Sequence, residues 1–468
     1  MNKAGFAMKR PNAWNDYTPE QLDELEALTS DYMAFISANT TERECCAAAV
    51  ELAQQAGYVD LEECVRQGRA LKAGDKVYAV NRNKTLLLVQ LGTEPLSQGL
   101  NILGAHIDSP RLDIKQVPLE ENEELAYLDT HYYGGINKYQ WLTMPLALHG
   151  VVCKKDGSTV QVRIGEDASD PVFCITDLLP HLGSEQMGKK VSEFVPGESL
   201  DVLVGNRPLK LEDDAKETPV RAQVLALLAD QLGIEEEDLL SAELEVMPAG
   251  PARDLGLDRS MILGYGHDDR SCSYPSLKAQ LACEAPTRTA VTLLVDKEEI
   301  GSVGATGMTS AFFEDSIAEV LALAGEEGDL ALRRCLRRSR MLSSDVSAAY
   351  DPAFASVYEK KNACFLGHGL AFMKFTGSRG KSGSNDADAE YVAQIRSIMD
   401  AAGVHFQTCE LGKVDAGGGG TIAYILARYG MSVIDCGVPV LSMHAPWETV
   451  SKADVFEAYR GYCAFLDA

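Results

Sequence analysis

The order of hydrophobic and polar positions divides the chain into three textures. From position 17 to 57 apolar residues recur at helical spacing, and the run "TERE" from Thr41 to Glu44 has the form of a capping box that opens "CAAAVELAQQAG". Three short apolar runs follow: "KVYAV", "TLLLVQL" and "LNILGAHIDSP". Their continuous hydrophobicity predicts strands buried on both faces.

The second texture begins near Val117 and lasts to Gly250. Runs such as "GVVCKK" and "STVQVRI" alternate, turn residues are frequent, and the acidic clusters "LEDDAKE" and "IEEEDLL" intervene. Alternation with charge predicts an antiparallel insert with one solvated face. After it, strands and helices alternate. "AVTLLVD", "RMLSSDV" and "MSVIDCGVPVLSMH" read as strands. "DSIAEVLALAGEEGDLALRRCLRR", "AEYVAQIRSIMDAAG" and "GGTIAYILARYG" read as helices, and "TGSRGKSGSNDADAE" as a loop. The expected fold class is α/β: a mostly parallel sheet sandwiched by helices, carrying an inserted, mainly β domain. The expected division is 1–116 with 250–468 for the catalytic part and 117–249 for the insert. The chain has 468 residues, which also favours two domains.

Charge narrows the function. The formal net charge is -26, and 25 acidic against 10 basic residues fall within 117–250. Such a balance argues against nucleic acid or an anionic membrane surface as partner. No apolar run reaches membrane-spanning length, and the N-terminal sequence lacks the apolar centre of a signal peptide. Twelve cysteines without a CxxC pair read as reduced thiols of a cytoplasmic protein, which disfavours zinc-thiolate sites.

The chemistry lies where the apolar runs stop. "GAHIDSPRLD" supplies His106 and Asp108, "GHDDRS" Asp268 and Asp269, "LLVDKEEIGSVGATG" Glu298 and Glu299, "SSDVS" Asp345, and "VLSMHAPWE" His444. Open α/β sheets bind ligands beyond the carboxyl ends of their strands. Singly, each residue has an ordinary structural explanation, such as a helix N-cap for Asp268–Asp269 or a solvated strand end for the two glutamates. Five segments converging on one end of one sheet do not. Two imidazoles and several carboxylates without thiolate suit zinc, manganese or cobalt in a hydrolytic centre. Two metals there need a bridging carboxylate, terminal ligands, and one further carboxylate as general base. Adjacent glutamates meet the last need if one ligates while its neighbour takes the proton of the attacking water.

The segments "AHIDSPRLDIK", "DKEEIGSVGATG", "SSDVSAAYDP" and "GVPVLSMHAPWE", in this order, closely resemble the M18 metallopeptidases, the aspartyl aminopeptidase family. The resemblance implies an α/β sandwich with two divalent metals, removing single residues from peptide N-termini. It makes His106 and Asp345 ligands of the first metal, Asp108 the orienter of His106, and Asp268 the bridge. Glu298 resembles the general base, and Glu299 and His444 ligands of the second metal. Where the family has Asp-Asn this chain has Asp268-Asp269, so the bridge is one of two aspartates. "LLPHL" places His181 where the family brings a histidine to a neighbouring subunit's active site, and "GLAFMKF" places Lys374 in the substrate pocket. Peptide substrates with a free N-terminus beginning in Asp or Glu, and a homo-oligomer up to a dimer-based dodecamer, are further expectations. The alternatives are a neutral or broad aminopeptidase, an N-acyl amino acid deacylase, and a non-catalytic peptide-binding or scaffold protein.

Overall fold

The computed structural model describes residues 11–210 and 218–468. The first ten residues of the N-terminal sequence and the acidic run at 211–217 lie outside the described residues. The chain forms two compact units, one of Met1–Asp108, Ala252–Met443 and Glu448–Ala468, the other of Ser109–Pro251 and His444–Trp447.

In the first unit a nine-stranded sheet contains β1 (Val59–Asp60), β2 (Lys76–Asn81), β3 (Thr85–Gln90), β4 (Asn101–His106), β5 (Ala290–Val295), β6 (Arg340–Ser344), β7 (Leu370–Met373), β8 (Phe406–Thr408) and β9 (Ser432–Gly437). Their order is β1-β2-β3-β5-β4-β6-β9-β7-β8. The four central strands, β5, β4, β6 and β9, run parallel; the β3–β5 and β9–β7 pairs are antiparallel. Side chains alternate faces along a strand. Accordingly Leu103, Leu342 and Ile434 enter one hydrophobic cluster with Cys272, Ile395 and Tyr462. Their neighbours Ile102, Met341 and Val433 enter another with Phe313, Cys335 and Ile425. Helices thus cover the sheet on both faces, which is why these strands read as unbroken apolar runs.

The helices start where the caps indicate. In α1 (Pro19–Ala38) Thr18 caps with Gln21, and in α2 (Glu42–Gln55) Thr41 and Glu44 form the capping box. A later helix of the same unit, α3 (His267–Ala282), begins at the Asp268–Asp269 pair, whose backbone is still non-helical.

Four segments depart from the sequence-based expectation. The run 315–338 gives two helices, α4 (Phe312–Leu323) and α5 (Asp329–Arg338), because Gly325 and Gly328 turn to positive φ between them. "GGTIAYILARYG" yields only a five-residue helix, Ala423–Ala427, since its glycines stay extended or irregular. "MSVIDCGVPVLSMH" splits at Gly437 into β9 and Pro439–Leu441, a strand of a separate five-stranded sheet. Strand β5 stops at Val295, so Glu298 and Glu299 are not on a strand but on a single helical turn, Glu298–Ile300. Left-handed backbone at Lys297 (φ 68°) and Gly301 (φ 96°) brackets that turn.

The second unit carries a six-stranded sheet, wholly antiparallel, whose order is Thr159–Ile164, Leu146–Cys153, Ala242–Pro248, Arg111–Asn122, Leu125–Tyr133, Val202–Gly205. Ala126, Leu128 and Thr130 are buried while the residues between them are only half-buried, the alternation read from the sequence. Trp141, Leu148 and Val246 lie in its core, and a helix, Pro219–Leu232, packs with it. The strand Arg111–Asn122 runs through position 117, so the unit begins at Ser109. Among the described residues no helix is long and apolar enough to cross a membrane.

Candidate metal centre

His106 is the last residue of β4, and Asp108 follows two positions on; both are buried. The His106 Nδ1 lies 3.0 Å from the Asp108 carbonyl oxygen and 3.3 Å from its Oδ1, so an Nδ1–H donates to Asp108 and Nε2 is the ring nitrogen left for the site. That Nε2 faces Asp268 Oδ1 at 3.1 Å. Asp345, just beyond β6 and 8% exposed, completes a group in which His106, Asp268 and Asp345 each offer a ligand atom within 4.8 Å of the others. A second such group joins His106 with Glu298 and Glu299.

The two aspartates ahead of α3 divide their tasks. Asp268 aims a carboxylate oxygen at the imidazole. Asp269 Oδ2 instead accepts from the His106 backbone amide at 3.2 Å, which ties the end of β4 to the start of α3. Of the two, Asp268 therefore has the geometry of a ligand. Its own amide donates to Glu448 Oε2 at 3.0 Å. Sequence reasoning passed over Glu448, although it closes the quoted segment "GVPVLSMHAPWE"; nothing in a lone buried glutamate of a strand marks it as the partner of a distant amide.

The glutamate turn is held from its backbone. The Asp108 carboxylate accepts from the amides of Glu298 and Glu299, each at 3.2 Å. One side chain thus orients His106 and both glutamates. The two glutamate side chains stay half-buried.

Electrostatics indicates what this set accommodates. Burial, then the charges of Glu298 and Asp269, push the Asp345 carboxyl well above its ordinary value. Asp269 is raised too, by burial first, with Asp268 adding and His106 opposing. Burial alone would lower the His106 imidazole, but its hydrogen bonds with Asp108 and Asp268 raise it well above the usual value. Carboxylates this close repel one another unless a cation lies among them. One imidazole nitrogen and several buried carboxylate oxygens, with no sulfur, make a donor set that fits a divalent ion such as zinc.

His444 falls in the short stretch that groups with the inserted unit, and its Nδ1 is 2.9 Å from the Gly135 carbonyl oxygen. His181 sits exposed on the turn Pro180–Leu182 of that unit. Lys374 follows β7 and is half-exposed; its Nζ lies 3.7 Å from Asp386 Oδ1, while Lys381 takes Oδ2 at 2.8 Å.

A family model described as "Aminopeptidase I zinc metalloprotease (M18)" matches residues 35–466. The chain belongs to the M18 family. It is similar to a probable M18 family aminopeptidase 1 of Clostridium acetobutylicum, 55% identical over 456 residues that cover 97% of this chain and 98% of the relative. A Thermotoga maritima protein of the same name is 43% identical, covering 98% of this chain and 99% of its own. Among solved structures, aminopeptidase I from C. acetobutylicum superposes with a TM-score of 0.93 at 52% identity, covering 99% of this chain and 100% of the other. The M18 aminopeptidase of T. maritima also reaches 0.93, at 42% identity over 98% and 100% of the two chains. The mixed α/β fold is that of M18 aminopeptidases, and the chain is a metallo-aminopeptidase, a hydrolase.

Proposed function

We propose that this M18 aminopeptidase removes single N-terminal residues, acidic ones by preference, in a reaction that uses two divalent metals and Glu298 as general base. The convergence of His106, Asp268 and Asp345 beside the Glu298–Glu299 turn carries the reading. His106 and Asp345 would hold the first ion, Asp268 would serve both, and Glu299 would be the next ligand, with His444 assigned by its motif. Zinc, when bound, polarises the scissile carbonyl and lowers the pKa of water.

The chain's own residues do the rest. Asp108 fixes the tautomer and direction of the His106 ring, and through two amides it sets the Glu298–Glu299 turn. Glu298 accepts a proton from the attacking water and delivers it to the leaving amine. The acidic preference rests on Lys374. The exposed apolar residues Leu178, Leu179, Leu182, Met187 and Val191 surround His181 in sequence, and an apolar patch of this kind suits contact between copies of the chain. We assign His181 to such a contact in a homo-oligomer.

The deciding experiment assays aspartyl, glutamyl and leucyl nitroanilides, free and N-acetylated, on zinc-, manganese- and cobalt-loaded enzyme. Turnover of free aspartyl and glutamyl substrates above leucyl is expected, with none of the blocked ones. Hydrolysis of N-acetylated substrates would overturn the requirement for a free amine.

A further inference from the structure

Asp296 is the first residue beyond β5 and is 1% exposed. One of its carboxylate oxygens accepts from the Lys297 amide at 2.8 Å; the other accepts from the Thr306 hydroxyl at 2.5 Å. The chain between them makes a tight excursion through Lys297 (φ 68°), Gly301 (φ 96°), Ser302 (φ 59°) and Gly304 (φ 120°). Non-glycine residues at positive φ persist only where surrounding contacts over-determine them. Those contacts are present. The Ser302 amide donates to the Lys297 carbonyl at 2.6 Å. The far limb is pinned from the sheet, where the Thr85 hydroxyl donates to the Thr306 carbonyl at 2.6 Å and the Asn81 side-chain Nδ2 to the Ala305 carbonyl at 2.5 Å. At Gly307 the chain passes so close to itself that a Cβ would stand 2.3 Å from the Ser302 carbonyl oxygen.

Asp108 alone does not fix the turn. Its two amide contacts hold one edge, and a turn held on one edge can pivot about it. The Asp296–Thr306 side-chain hydrogen bond, beside a longer backbone bond from the Asp296 amide to the Thr306 carbonyl at 3.4 Å, closes the base of the loop. We propose that Asp296 and Thr306 are positioning residues: their contact locks the loop that aims the Glu298 carboxylate during hydrolysis. The inference rests on Glu298 being the base. Neither residue belongs to either metal-ligating group above.

The test uses the full-length, zinc-loaded enzyme. It compares Thr306→Val, which keeps the shape and removes the hydroxyl, with Thr306→Ser, which restores it. Steady-state kcat and KM are measured per bound zinc on a free aminoacyl-nitroanilide, with Glu298→Gln alongside. A mis-aimed base loses rate while binding survives, so Thr306→Val should lower kcat about tenfold or more with KM within about twofold. Zinc content should be unchanged, and Thr306→Ser should stay within about threefold of wild type. Asp296→Asn, which still accepts from Lys297 and pairs with the hydroxyl, should outperform Asp296→Ala. If Thr306→Val does not fold, Thr306→Ala against Thr306→Ser makes the same comparison. Wild-type kcat in the variant lacking the hydroxyl, beside an inactive Glu298→Gln, would overturn the clamp. So would equal slowing by Thr306→Val and Thr306→Ser. An active Glu298→Gln would instead overturn the base reading, so the two failures are distinguishable.

Discussion

Two pairs of adjacent carboxylates stand in the same unit, one opening a helix and one on a single helical turn, and they are built by opposite means. Asp268 and Asp269 are 3% and 0% exposed and work through side chains, one oxygen facing the His106 imidazole and another taking the His106 amide. Glu298 and Glu299 are half-buried and are held through their backbone amides, both on Asp108. The first pair is set by charge: burial and mutual repulsion raise Asp269, and a cation relieves both. The second is set by geometry, through two backbone amides on one carboxylate. A ligand needs a fixed charge; a base needs a fixed direction and an open proton path.

The sharpest way to break this contrast is to remove one charge from each pair without changing shape. Glu298→Gln should lower kcat by roughly a hundredfold or more while zinc remains, because the amide cannot accept the proton. Asp268→Asn should lose zinc itself, with activity recovering only as metal is added. Zinc content by atomic absorption beside kcat separates the two outcomes. If Glu298→Gln released the metal, or stayed within tenfold of wild-type activity, the division of labour would fail.

Asp108 touches both sides of the comparison, so its loss should affect both. Asp108→Ala removes the carboxylate oxygen 3.3 Å from His106 Nδ1, leaving only the backbone carbonyl there, and removes the anchor of two amides. A weakening of zinc affinity by about ten- to a hundredfold is expected, as for other residues that orient a ligating histidine. Added zinc should restore occupancy but not full kcat, since the glutamate turn stays loosened. Titration with a chelator, followed by assay at saturating zinc, reads the two effects apart. Full recovery of kcat would mean that Asp108 serves the histidine alone.

The contrast also shows what the sequence could reveal. The central strands were legible because Ile102–Leu103 and Met341–Leu342 are buried on both faces, and a run buried on both faces has no polar positions to confuse it. The ligand candidates His106, Asp268 and Asp345 were legible because each is polar where such a run stops. The helical turn that carries the glutamates was not legible, because positive φ at Lys297, an ordinary residue, has no sequence signature. Glu448 and Asp108's second role were hidden for a related reason: both act on backbone amides nearly two hundred positions away, and any residue supplies an amide. The inserted unit was legible in character, by alternation and charge, but its edge was not. Arg111–Asn122 is one strand, and a bulge between Ile114 and Leu119 interrupts its pairing near the expected boundary.

A buried carboxyl outside both pairs tests the electrostatic half. Asp435 on β9 is fully buried, accepts a hydrogen bond from Thr421, and is pushed by burial up to about 7. Its folded pKa exceeds the unfolded value near 3.9. The stability it contributes is therefore present at low pH and falls as pH rises from about 4 through about 7. Asp435→Asn should flatten this loss. Between pH 5 and 7 wild type should lose on the order of 2–3 kcal/mol that the variant keeps. Urea unfolding of both at pH 5, 6 and 7 measures it; parallel curves would show that Asp435 remains charged or solvated in the fold.

The smallest effect concerns substrate choice, and there the structure tempers an expectation from sequence. A lysine buried opposite a substrate carboxylate would be worth about 1.5–3 kcal/mol, or roughly ten- to a hundredfold. Lys374 is 52% exposed in its side chain, and its ammonium already lies 3.7 Å from Asp386. Asp386 in turn is held below its ordinary value, chiefly by the hydrogen bond from Lys381 and then by the charges of both lysines. A substrate carboxylate must compete with Asp386 in a solvated setting, where an exposed ion pair contributes about 1 kcal/mol or less. Lys374→Ala should therefore reduce the aspartyl-over-leucyl ratio of kcat/KM by about fivefold or less, leaving leucyl turnover unchanged. Asp386→Asn should raise the same ratio, because it frees the ammonium without removing it. The paired measurement is decisive in sign: if both substitutions lower the ratio, the lysine holds the loop through Asp386 and does not meet the substrate.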